Sequence, residues 1–432
     1  MKHANAVCRA DEPAARVLAV NRFYWPDHSA TAQILTDLCA HLADTGVAVT
    51  VVTSRKRYDD PKARLAARET RDGVQIHRVW TTRLGRDWAP ARAVDYASFY
   101  LSAMIAMLRL AGRGDVILAK TDPPLISVAA WMVARIRGAR LVNWLQDVFP
   151  EVAGALGMRW ARGPGGTLLQ RLRNLSLDAA TANVVISEAM AARLAGEGVR
   201  PASLHVIRNW SCERIRPVAA SRNPLRRDWG LEGRFTIGYS GNLGRAHAAP
   251  AVADLVRRTA GIDGLTWLFI GGGKGLDAVR RAAAETGADI RFQPYQPRER
   301  LSESLSAPDM HLVCLDPACE GLIMPSKLYG VLAAGRGVIA LGARDGAVAQ
   351  EVVPAGCGVA LDIAAPESWA AAVRRIATPD VAARLGAQAR AQYEAEHGAA
   401  GQLAAWRATL LSARTDNPAS AEGMAAAATR AP

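Results

Sequence analysis

The stretch His311–Leu341, HLVCLDPACEGLIMPSKLYGVLAAGRGVIAL, constrains this chain more than any other segment. An apolar strand (HLVCL) runs into a polar loop holding one acid, Glu320. A Pro-Ser-Lys turn then opens a small-residue helix, Leu328 to Ala334, which Gly335 closes. A second apolar strand, Gly337 to Leu341, follows. In a βαβ unit of this kind, ligands sit at the carboxyl ends of the strands. The unpaired N–H groups of a helix start favour anions. Ser326 and Lys327 at that start, facing the Glu320 carboxylate, suit a phosphate on one side and sugar hydroxyls on the other. This pattern predicts a nucleotide-sugar site.

Strand and helix patterns alternate along the rest of the chain, which predicts a doubly wound α/β architecture. Expected strands are Val17–Val20, Val47–Thr53, Val74–Val79, Val116–Ala119, Arg140–Trp144 and Asn183–Ile186. The polar, aperiodic run from Glu213 to Arg234 reads as a linker, and the pattern restarts at Phe235–Tyr239, Thr266–Ile270 and Ile290–Phe292. At 432 residues the chain is long enough for two cores. The expected division is a flexible leader (1–14), a Rossmann-like domain (15–212), a linker (213–234), a second Rossmann-like domain (235–395), a helix packing back on the first domain (396–412) and a disordered tail (413–432). Two such halves imply a cleft between them.

The net charge of +13 comes from scattered arginines, with no dense basic run interleaved with aromatics, so nucleic acid is not an expected partner. The charge reads either as suited to anionic substrates or an anionic membrane face, or as an arginine-rich composition with no partner meaning. The six cysteines are isolated and form no zinc-type set, which suits buried thiols in a reducing cytoplasm. No metal site is expected. No signal peptide and no uninterrupted run of 18 apolar residues is present, so no membrane-spanning helix is expected. The apolar segments Ala97–Gly112 and Ile126–Ile136 read either as core helices or as a monotopic patch. Arg86, Arg92, Arg109 and Arg113 lie near them in sequence and would suit anionic headgroups.

Four turns carry the remaining chemistry. After the Tyr239 strand, Gly241, Asn242 and Gly244 make a tight turn, with Arg245 and His247 beyond, suited to a pyrophosphate. The spacing is not that of a dinucleotide fingerprint. A second glycine turn, Ile270–Gly275, holds Gly272 and Lys274. In NWLQDVFPE, Gln146 and Asp147 end a strand, where an acid can bond a sugar hydroxyl or cap the next helix. The loop Phe23–Thr31 contains Tyr24, Asp27, His28 and Ser29 and reads as an acceptor loop or a plain surface loop.

Taken in order, FYWPDHSATAQILTDLCAHLADTGVAVTVVTS, KTDPPL, NWLQDVFPE, VISEAM, VIRNW, YSGNLGRAH, QPYQPRERL and GLIMPSKLYGVLAAGRGVI resemble the family-4 glycosyltransferases of the GT-B fold. The resemblance covers residues 17–365 and is closest to the subgroup of bacterial exopolysaccharide and O-antigen clusters, such as the colanic-acid glycosyltransferases. It implies a retaining, metal-independent sugar transfer with a nucleotide sugar as co-substrate and no cofactor. Gly241, Asn242, Arg245 and His247 fall in its donor-phosphate loop, and Glu320 at the first acid of its Glu-x7-Glu signature. Ser326 and Lys327 open its Pro-Ser-Lys helix. The implied catalytic set is Asp147, Glu320, Arg245 and Lys327. The implied acceptor is a glycan or an undecaprenyl-diphosphate-linked glycan, handled in the cytoplasm or peripherally at the inner membrane. Gly330 stands where the family has its second glutamate, so ribose contact must come from elsewhere. Gln146 and Asp147 replace its cleft histidine. Rival readings are a degenerate non-catalytic relative, a nucleotide-sugar epimerase and a phosphorylase.

Overall fold

In the computed structural model, residues 16–415 are described, except 28, 58–59, 61–62, 83, 85–88 and 212–213. The leader, most of the tail and His28 therefore lie outside the described residues. Two compact units account for the rest. The first comprises residues up to Trp144, Arg173–Asn183 and the segment from Trp406. The second comprises Leu145–Leu172 and Val184–Ala405.

The first sheet contains β1 (Arg16–Val20), β2 (Ala48–Ser54), β3 (Arg68–Arg71), β4 (Val74–Val79), β5 (Val116–Lys120), β6 (Arg140–Trp144), β7 (Ala182–Val185) and β8 (Leu204–Val206) in the order β3-β4-β2-β1-β5-β6-β7-β8. β1 is parallel to β2 and β5, with Val17 beside Val49 and Val116. Its residues from Val17 onward are buried, as expected of a parallel strand covered on both faces. The helices Ala89–Leu110 and Ile126–Arg137 cover this sheet through Phe99, Ala103, Met107, Ala130 and Val133. The first of these is, over Ala91–Leu110, long and apolar enough by length and composition to cross a membrane.

The second sheet contains β9 (Phe235–Asn242), β10 (Leu265–Gly272), β11 (Ile290–Gln293), β12 (Met310–Cys314), β13 (Gly337–Gly342) and β14 (Gly358–Asp362) in the order β11-β10-β9-β12-β13-β14. Its neighbouring strands all pair in parallel. Tyr239, Trp267, Phe269, Leu312 and Ile339 form its core with the helices Ala249–Thr259 and Leu276–Thr286.

Three strands fall where no strand is expected from pattern. β3 (RETR) has no apolar face, yet it pairs antiparallel with β4, and Arg78 bonds Glu69 at 2.7 Å. β8 is three residues long, and β14 lies beyond the segments with clear periodicity. The segment read as a linker carries a short helix, Pro224–Asp228, started by Asn223, whose side chain accepts from Leu225 N. Arg226 in that helix is buried and donates to the carbonyls of Ala307, Leu231 and Arg234 and to Asp309. A polar sequence here conceals a guanidinium anchored by tertiary acceptors. The final helix spans Ala399–Thr415, and within the first unit Trp406 packs on Trp144 with ring centroids 4.3 Å apart.

Candidate active site

At the end of β9, Gly241 adopts φ +119°, a left-handed conformation that glycine tolerates without strain. The turn of β10 packs directly on it: a Cβ at Gly271, itself at φ +123°, would lie 2.6 Å from Gly241 O. A Cβ at Gly273 would lie 2.5 Å from Asn242 Oδ1. The two glycine turns thus form one layer, and the second supports the first. Gly272 lies in this layer beneath the ring of Tyr295, while Lys274 is exposed.

Across Gly241 sits Lys327, the first residue of the helix Lys327–Ala333. A Cβ at Gly241 would lie 3.6 Å from Lys327 Cε and 4.0 Å from its Nζ. The ammonium donates to the Tyr239 hydroxyl and lies 4.1 Å from the Tyr239 ring centroid. The hydroxyl in turn donates to Asn242 O at 2.9 Å. Burial lowers the Lys327 pKa to about 8, with the Cys314 sulfur acting against that shift. Tyr239 is the residue that sequence reading missed. Its signal was its place as the last aromatic before the Gly-Asn turn.

His247 and Arg245 beyond the turn differ in charge. His247 accepts from Gly244 N through Nδ1 at 3.2 Å, and burial together with Lys327 lowers its pKa to about 4. It is therefore neutral at pH 7 and offers an N–H rather than the positive charge expected of it. Arg245 is exposed beside it, and Asn242 is exposed at the turn. The Pro-Ser-Lys helix is only seven residues long, and Ser326, exposed at its head, makes no side-chain cap bond. Positive charge at this turn comes from Lys327 and Arg245 more than from a helix terminus.

A second cluster lies within the same unit. Asp147 forms an antiparallel bridge with Ile323, and Val148 N donates to Leu322 O at 2.8 Å. Asp147 is exposed there, while Cys319 beneath is buried. Burial and the nearby Asp316, Glu320 and Asp147 carboxylates raise the Cys319 thiol to about 11. Asp316 N donates to Ala246 O at 2.8 Å, tying this acidic loop to the Arg245–His247 turn. Glu320 accepts from Ala347 N through Oε2 at 2.8 Å, and its pKa is raised, mainly by burial. One of its oxygens therefore caps the helix Ala347–Val352. Gln146 is buried in a reciprocal amide pair with Asn209, at 3.0 and 2.8 Å. At the missing-glutamate position, a Cβ on Gly330 would meet Leu305 Cδ1 at 3.2 Å.

In the first unit, Tyr24 is buried, and its hydroxyl bonds the Cys39 thiol and Thr36, with burial raising its pKa. Asp27 is buried and accepts from Ser29 N at 2.8 Å, closing a turn before the helix Ala30–Asp44. These contacts hold the loop's own shape. As for metals, Glu351, Glu396 and His397 bring ligand atoms within 4.8 Å of one another, but Arg208 already engages Glu351 at 3.0 Å.

Residues 29–210 match the model of the glycosyl transferase 4-like domain. The chain is 28% identical over 250 residues to the probable glycosyltransferase WbjE of Pseudomonas aeruginosa, covering 57% of this chain and 62% of that one. It is 25% identical over 335 residues to the putative colanic acid biosynthesis glycosyl transferase WcaI of Escherichia coli K12, covering 74% and 81%. The chain resembles the family-4 glycosyltransferases and has the GT-B fold. Among solved GT-B structures, Anabaena HepE in complex with UDP and glucose matches with TM-score 0.68 at 13% identity, covering 92% of this chain and 100% of that one. For this GT-B chain, the glycine layer, Tyr239 and Lys327 occupy the carboxyl edge of the second sheet, where such folds bind ligands.

Proposed function

We propose that the chain transfers a sugar from a nucleotide-sugar donor to a saccharide acceptor during assembly of a bacterial surface or exopolysaccharide. The observation that carries this reading is the Lys327 ammonium, held by Tyr239 directly across the Gly241 turn. A desolvated cation beside exposed backbone is suited to a diphosphate whose charge grows as it leaves. Arg245 adds charge from the exposed side of the turn. UDP bound to HepE and the polysaccharide role in WcaI's name support the same donor and pathway class.

In the proposed step the anomeric C–O bond to the β-phosphate breaks and a bond to an acceptor hydroxyl oxygen forms on the same face. The β-phosphate oxygen takes the hydroxyl proton, so configuration is retained and no protein base or metal is required. Asp147 orients the acceptor or the transferred sugar. Glu320, fixed at one oxygen by Ala347, meets donor hydroxyls with the other. In this reading the acceptor is a glycan, free or carried on a lipid diphosphate, and the enzyme works in the cytoplasm, at the membrane face where the acceptor is lipid-linked.

The test is a panel of UDP-, GDP- and TDP-sugars by thermal shift and turnover. One donor should raise the melting temperature by mass action. Lys327→Ala should lower turnover about 10²–10³-fold. No shift with any donor would sink the reading and favour a degenerate relative, to which Gly330 at the glutamate position would then testify.

A further inference from the structure

A cavity of about 500 Å³ lies in the first unit, and none of the described residues lining it has been given a role above. It opens at the carboxyl ends of two paired parallel strands, where Ser54 of β2 stands beside Val79 of β4. The residues just past those ends line it. Arg55 and Lys56 follow β2, Trp80 and Thr81 follow β4, and Arg64 and Leu84 complete the wall with Thr82. Among the described residues that line it none is acidic, and three are cationic.

The walls are fixed. Arg55 N donates to Val79 O at 3.3 Å, and its Nε donates to Leu65 O at 3.1 Å. Lys56, only 8% exposed, donates through Nζ to Thr82 O. Asp95, buried on the helix Ala89–Leu110, accepts from both Thr82 Oγ1 at 2.6 Å and Leu84 N at 3.1 Å. Thr81 is buried, and its hydroxyl has no hydrogen-bond partner among the described residues.

The rim has the opposite character. Trp80 and Leu84 are 64% and 60% exposed, large apolar surfaces set beside the cations. The helix whose Asp95 ties this rim also carries Val94, Leu101 and Ile105 outward. Two anchored cations, Arg55 and Lys56, an exposed third, Arg64, and an unsatisfied hydroxyl suit a compact anion with several oxygens. An exposed apolar rim continued by an apolar helix face suits a hydrocarbon chain attached to it.

We propose that this cavity binds the diphosphate of a lipid-linked acceptor, with Arg55, Lys56 and Arg64 on the phosphates and Trp80 and Leu84 on the first lipid carbons. The inference rests on the reading above only for the ligand's role as acceptor.

The test uses the full chain and farnesyl diphosphate, with binding read by calorimetry. Wild type should bind it, should bind inorganic pyrophosphate about tenfold or more weakly, and should not bind farnesol. The double variant Arg55→Ala/Arg64→Ala should weaken farnesyl diphosphate binding about tenfold or more, the scale of one lost charge-assisted contact. Trp80→Ala should weaken it without changing pyrophosphate binding. Lys327→Ala should leave it unchanged, which separates this cavity from the donor turn. A double variant that binds farnesyl diphosphate as wild type does would overturn the proposal. Equal affinity for pyrophosphate and farnesyl diphosphate would overturn its lipid half. The double variant should keep its donor-induced thermal shift, which also reports that it folds, and Arg55→Lys/Arg64→Lys should recover part of the affinity. Wild type that binds farnesyl diphosphate but no nucleotide sugar would sink the donor reading and leave the cavity assignment standing.

Discussion

The Lys327 ammonium and the Tyr239 hydroxyl share a hydrogen bond although 88 residues separate them in sequence. The hydroxyl passes its own proton toward Asn242 O at 2.9 Å, so the pair orients the cation and the turn backbone together. Removing the hydroxyl in Tyr239→Phe leaves a buried ammonium without this acceptor. The expected cost is about 1–3 kcal/mol of stability, read by denaturant unfolding, with weaker donor binding.

Donor binding should take up a proton in alkaline solution. With no ligand, Lys327 titrates near 8, and a bound diphosphate raises that value by favouring the charged amine. Affinity is then flat below pH 8 and falls as pH rises above it, because the free enzyme loses the charge first. Calorimetry in two buffers of different ionisation enthalpy at pH 8.5 reads the uptake. No difference between the buffers would mean that Lys327 does not face the phosphate.

Gly271 supports the phosphate turn from below. Alanine there would be strained at φ +123° and would press a methyl within 2.6 Å of Gly241 O. Gly271→Ala should cost about 1–3 kcal/mol and raise the donor dissociation constant. Farnesyl diphosphate binding should not change. Donor affinity equal to wild type would separate the second glycine turn from the first.

Arg226 should matter more than its place in a polar connecting segment suggests. Its removal takes a donor from three carbonyls and the guanidinium from Asp309, whose carboxylate would keep the Thr236 N–H as a donor. Arg226→Ala should destabilise the protein by about 3 kcal/mol or more in chemical unfolding. Lysine lacks the planar fork and should recover little.

Acid should unfold the protein early. Burial holds both His311 and His397 near 4, below the ordinary 6.5 of the unfolded chain. The unfolded state therefore binds protons first as pH falls. The stability these residues contribute is complete above pH 6.5 and is lost progressively between 6.5 and about 4, by up to about 3 kcal/mol per histidine. Melting temperatures of His311→Gln across that range should show a shallower decline than wild type.

The parts of this molecule that follow local chemistry were readable from the chain. The βαβ block at His311–Leu341 and the strands Val74–Val79 and Arg140–Trp144 appear with near-identical limits, because Arg140–Trp144 buries on both sheet faces while Val74–Val79 alternates buried and more open residues with the period of a strand. The turns at Gly241 and Lys327 were singled out on residue type alone. What the sequence could not show depends on distant partners. The charge of His247 is set by burial and by Lys327, 80 residues later. The shape of the Tyr24 loop depends on Cys39, and the cation-lined cavity arises because β2 pairs with β4. β3 escaped notice because its stability lies in pairing with a neighbour rather than in its own pattern.

The chain passes between its two compact units at 144/145, 172/173, 183/184 and 405/406. Neither unit is therefore a continuous piece of polypeptide. Splitting the gene at the polar segment near residue 213 would leave each product with fragments of both cores and a set of unmet strand edges. Fragment complementation, circular permutation and domain exchange with relatives would have to respect those four passages.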